Sequence, residues 1–164
     1  MPNLADFYST FGTVSLTLTG LWMYVASSRF REWMVHRDHF RRATAISVEL
    51  AFPGLMCVFA LVDPVSKLIW QWAFGVTSAI AILLLVNLMR QSKGPWPHVN
   101  RLGTWIAVVI FAAICIVAVV PSMVADLVPR RVEFFLFALL MIDGLVVGWL
   151  MLFDEHQTPI DTAL

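Results

Sequence analysis

Apolar residues fall along this chain in five long runs separated by short polar segments, and the pattern predicts membrane-spanning helices at Phe7–Ala26, Ala43–Val62, Leu68–Met89, Leu102–Val120 and Phe134–Phe153. A hydrocarbon core of about 30 Å requires about 20 residues at about 1.5 Å each, and every run meets that length. Proline, glycine and charged residues punctuate the pattern at Val62–Lys67, Arg90–Arg101 and Pro121–Glu133. The second and third helices are joined so tightly that they are expected to be antiparallel neighbours. The predicted fold is all-α, a polytopic transmembrane bundle forming one domain over residues 1–153, followed by a short polar tail over 154–164.

Periodicity within the runs adds two features. In the first helix Ser9, Thr13, Thr17, Gly20 and Tyr24 share an arc of about 80°, so one face is polar or small throughout. Its functional reading is a water-lined or ion-lining surface around the axis of a homo-oligomer; the alternative is tight packing with each hydroxyl bonded to its own backbone. In the second helix Ala45, Glu49, Pro53, Cys57 and Ala60 follow helical spacing and give a face of mostly small residues suited to close helix contact.

Composition sharpens the class. Of 164 residues 60% are hydrophobic and 13% charged, and the mean hydropathy is +0.81, values outside the range of soluble domains. The net charge of zero gives no basis for nucleic-acid binding. Cys57 and Cys115 lie in separate apolar runs and read as small core residues. The opening MPNLADFYST lacks a basic signal region, so the first run is expected to be retained.

Lys and Arg set the expected orientation. Arg29, Arg31, Arg37, Arg41, Arg42, Arg90, Lys93 and Arg101 fall in the first and third connections, against Lys67, Arg130 and Arg131 opposite. The N-terminus is therefore expected outside and the C-terminus in the cytoplasm, in a multi-pass protein of the cell (inner) membrane. Trp22, Trp70, Trp72, Trp105 and Trp149 fall at predicted helix ends, where interfacial aromatic belts belong. The segment Arg29–Arg42 places Phe30, Trp33, Met34 and Phe40 on one face if helical. Two roles fit it: lying along the cytoplasmic interface with Arg37, Arg41 and Arg42 toward lipid headgroups, or the simpler and favoured one of fixing the topology.

Two acids carry the candidate chemistry. Glu49 is expected about 5 Å to the cytoplasmic side of the midplane, and Asp143 near the centre of the fifth helix. A charge at such depth costs about 2.5–3.5 kcal/mol, so each must face protein, water or a partner, or carry a proton. Pro53 cannot donate to the carbonyl four residues back, that of Glu49 itself, so an acid and an unpaired backbone acceptor share one turn and together could bind a proton or cation. Asp143 precedes Gly144 and Gly148, a small-xxx-small spacing that admits a neighbouring helix. The plainer reading is that both acids are protonated and join helices by hydrogen bonds; a pair sharing one proton is a third possibility. His36, His39, His98 and His156 all fall in predicted cytoplasmic segments, so no axial ligand pair for a haem stands at depth.

Two function classes follow. The first is an oligomeric proton or cation channel or carrier, with Glu49 as binding or gating acid, Asp143 as second site or assembly contact, and Thr13 and Thr17 in the lining. The second is a non-catalytic accessory or assembly subunit that binds another membrane protein or lipid through its small-residue faces. An intramembrane enzyme acting on lipid would need a nucleophile or metal constellation that the sequence does not display. No phosphate-binding loop, zinc-binding pair or nucleophile elbow is present, and no catalytic residue, cofactor or metal site is expected. The expected partners are the lipid bilayer, further copies of the chain and, in the second class, another membrane protein.

Overall fold

The computed structural model of the protein describes residues 4–35, 37–62, 67–91, 98–119 and 128–154. They form α1 (Leu4–Ser28), α2 (Phe30–Val35), α3 (Arg37–Val62), α4 (Lys67–Gln91), α5 (His98–Val119) and α6 (Val128–Asp154). No strand occurs among them. The five long helices coincide with the five apolar runs, each extended by a few residues into its polar flanks. The punctuation explains the limits: Asp38 lies in the first turn of α3, where the helix dipole favours an acid, and Arg90 in the last turn of α4, where it favours a base.

Among the described residues four helices are long and apolar enough to cross a membrane, over Arg37–Val62, Gln71–Gln91, Arg101–Ala118 and Phe134–Phe153. Hydroxyl residues lower the hydropathy of α1, but its packing shows where it lies. Going along α1, Gly12 packs on Cys57, Ser15 Oγ donates to the carbonyl of Leu50, and Trp22 Nε1 donates to the carbonyl of Ala43 at 3.1 Å. The order is antiparallel and follows α3 from Ala43 to Cys57, so α1 shares the depth of that apolar stretch. Its hydroxyls are compatible with that depth because Thr10, Thr13 and Thr19 donate to carbonyls of their own helix at 2.7–2.8 Å.

Helices α3, α4, α5 and α6 form a ring in which each packs on the next and α6 closes onto α3. α1 lies outside the ring against α3 and α6, reaching α6 through Phe7 on Phe134 and Phe11 on Phe137. Two apolar clusters close the bundle. At the end where α1, α4 and α6 begin, Phe7, Tyr8, Phe11, Phe74, Phe134 and Phe137 stack on one another with ring centroids no more than 6.3 Å apart. At the other end Trp22 stacks on Trp33 at 6.1 Å, above Ala43, Ile46, Val147 and Met151.

The basic segment departs from the expected interfacial strip. Trp33 is only 1% exposed because α2 folds back onto the Trp22 ring, while Phe30, Met34 and Phe40 stay exposed. Of the arginines expected to face lipid headgroups, Arg37 is exposed. Arg41 instead bonds Asp38 at 3.2 Å and the carbonyl of Gln91 at the end of α4. Arg42 is a correction: it is 7% exposed, since it shares the face of α3 that carries Glu49 and packs inward. Trp22 likewise belongs to the core, whereas Trp72, Trp105 and Trp149 are exposed at helix ends. The Trp70 and His98 side chains, His36, His156, Lys93 and the tail from residue 155 lie outside the described residues.

Candidate functional site

The backbone chemistry of α3 places the first acid. Pro53 lies inside the helix, and the N–H it lacks leaves the carbonyl of Glu49 without its intrahelical donor. Directly beside this break, Ser15 Oγ of α1 binds the next carbonyl, that of Leu50. Gly54 makes room for it: a Cβ there would stand 2.9 Å from Ser15 Oγ. The loosened turn of α3 is thus held by α1 through a residue on the face formed by Tyr8, Gly12, Ser15 and Trp22, all buried.

Glu49 is 0% exposed, and both of its carboxyl oxygens are buried without a hydrogen-bond partner among the described residues. α6 approaches it through a glycine. A Cβ on Gly144 would stand 3.3 Å from Glu49 Cβ and 3.2 Å from Leu50 Cδ2, so the two helices meet at van der Waals contact. One turn further, Gly148 is covered by the Trp22 ring, 3.2 Å from where its Cβ would be.

Asp143 precedes Gly144 and is turned to the other side of α6, toward α5. Its Oδ1 lies 3.5 Å from the position of a Cβ on Gly103, and that Cβ would overlap Val147 Cγ2. Asp143 is half-buried, and its Oδ2 is enclosed without a partner among the described residues. Glu49 of α3 and Asp143 of α6 thus lie on either side of the same turn of α6, Glu49 against Gly144 and Asp143 toward Gly103. An ionised carboxylate with no hydrogen bond is among the costliest groups to bury. The arrangement therefore accommodates a proton or a cation on Glu49 far better than a bare charge. A further orphan polar group among the described residues, Ser78 Oγ, sits fully buried on the face of α4 that carries Phe74, Ala81 and Leu85.

The structure brings Glu49, Asp143, Pro53 and Gly144 together, with Gly148 one turn away. It does not bring Thr13 or Thr17 to them. Ser9, Thr13, Thr17, Gly20 and Tyr24 are all exposed on the far face of α1, and Thr13 donates to the carbonyl of Ser9. Ser15 and Gly103 are site residues that the sequence reading missed. Ser15 recurs with Tyr8, Gly12 and Trp22 at helical spacing, a signal the denser hydroxyl stripe obscured. Gly103 follows the basic end of α5 with no spacing cue, because its role is a contact across helices. Compared with known proteins, the chain matches no family model, no curated sequence and no solved structure, so the site rests on its own geometry.

Proposed function

We propose that this protein is a small multi-pass carrier of protons or cations in the cell (inner) membrane, with Glu49 as the binding acid and Asp143 as the second acid of the pair. The observation that carries the reading is the Glu49 carboxyl, completely enclosed beside Asp143 with neither oxygen hydrogen-bonded among the described residues. An acid retained to tie helices together would be expected to make cross-helix hydrogen bonds. A proton is the favoured cargo because it needs no volume beyond the carboxyl itself. The aromatic cluster at one end and the Trp22–Trp33 cluster at the other favour a carrier that opens alternately over a standing pore, and Pro53 supplies a loosened turn at the point where α3 would bend. By the distribution of Lys and Arg, the Trp22–Trp33 end faces the cytoplasm.

The test is an imposed pH gradient across vesicles containing the purified protein. Wild type dissipates it faster than empty vesicles, and the double variant Glu49→Gln/Asp143→Asn does not; equal rates for the two proteins end the assignment. The accessory-subunit reading draws support from one observation, the half-buried position of Asp143 on the flank of the bundle. It predicts no flux from the isolated protein.

A further inference from the structure

Asp143 leaves the site open on one side. On α6 it lies between the buried Leu140 and Val147, the latter packed on Gly103 of α5, and the outward residues Leu139, Ile142 and Val146; across the seam α5 turns Leu102 and Ile106 outward. Alone, this flank would hold a half-buried carboxyl against acyl chains at hydrocarbon depth, where a charge costs about 2.5–3.5 kcal/mol. α1 presents the complementary surface. Its stripe of Ser9, Thr13, Thr17, Gly20 and Tyr24 is exposed, and a Cβ on Gly20 would meet nothing within 4 Å. Thr10, Thr13 and Thr19 give their hydroxyls to their own helix, whereas Thr17 makes no such bond among the described residues.

The two surfaces lie at the same depth. Ser15 binds the Leu50 carbonyl, and Gly144 packs on the Leu50 side chain. Thr17 and Asp143 therefore both lie within about one helical turn, ~5 Å, of Leu50 along the bundle. A rotation about the membrane normal preserves depth, so matched levels are what an assembly of identical copies requires.

We propose that the α5–α6 flank around Asp143 docks onto the α1 hydroxyl face of a second copy of this chain, so that the partner subunit's Thr17 donates its hydroxyl to Asp143 and completes the acid site. The two surfaces differ, so the contact is heterologous and builds a ring when the rotation closes. The inference rests on the proposed carrier only for the part Asp143 plays in transport; the assembly itself stands apart from it.

Disulfide trapping in vesicles tests the contact. With Cys57 and Cys115 changed to alanine, the double variant Thr17→Cys/Val146→Cys should give a ladder of linked species on oxidation, and each single variant none. Native mass spectrometry of the unaltered protein in lipid nanodiscs should show more than one copy. A monomeric mass with no ladder would give the flank to lipid or to another membrane protein and overturn the proposal. A linked dimer from Val146→Cys alone would overturn it too, since the copies would then meet flank to flank. A ladder without proton flux would retain the assembly and end the carrier reading, and flux without a ladder would do the reverse.

Discussion

Gly144 of α6 lies directly against Glu49 of α3: a Cβ on the glycine would stand 3.3 Å from the Glu49 Cβ. That closeness lets α6 bring Asp143 beside the buried acid, and it leaves no room for a larger residue. Gly144→Leu should overpack the seam by about 1–3 kcal/mol. Thermal unfolding in nanodiscs should register it as a midpoint lowered by about 2–4 °C per kcal/mol. An unchanged midpoint would mean that the helices do not meet there.

A buried acid without hydrogen bonds lowers stability, and removing it should restore some. Glu49→Leu is expected to gain about 1–3 kcal/mol, because an unsatisfied polar group is replaced by an apolar one of similar size. The same variant should lose transport. A loss of stability in the same unfolding assay would show that Glu49 has a partner holding it in place.

Pro53→Ala restores the N–H that Pro53 lacks and closes the helical bond to the Glu49 carbonyl. The expected outcome is a raised unfolding midpoint together with slower proton flux, since the loosened turn and its free acceptor both disappear. Flux equal to wild type would remove Pro53 from the mechanism.

The contact between α1 and α3 should be modest where it is polar and large where it is aromatic. Ser15→Ala loses one cross-helix hydrogen bond, worth about 0.6 kcal/mol in a membrane bundle. Trp33→Ala removes a ring that is 1% exposed and stacked on Trp22, and should cost about 3–5 kcal/mol. It should also release α2, so that limited proteolysis cuts between Arg29 and Arg37 faster than in wild type; an equal cutting rate would show that α2 is held by other contacts.

The helices were legible in the sequence because hydrocarbon depth imposes a length on apolar runs, and Pro, Gly and charge mark their ends. Counting from those ends put Glu49 and Asp143 in the middle of their helices, where α3 and α6 carry them, and the Gly144 spacing pointed to a seam. The facing of α1 was not legible: a threonine can satisfy its hydroxyl on its own helix, as Thr13 does on Ser9, so polarity alone does not say which side packs. The packed face carries Tyr8, Gly12, Ser15 and Trp22, too mixed in character to stand out. Burial of Arg42 was hidden for a related reason, since counting basic residues assigns a side of the membrane and not a face of a helix. Gly103 matters only through Asp143 and Val147, which belong to another helix.

The central claim is that Glu49 takes up and releases the transported proton. Infrared difference spectroscopy of the protein in vesicles, recorded as the external pH is stepped, reads carboxyl protonation directly. Wild type should show a carboxylic C=O signal that rises and falls with the step, and Glu49→Gln should lack it. A Glu49→Gln spectrum identical to that of wild type would contradict the account.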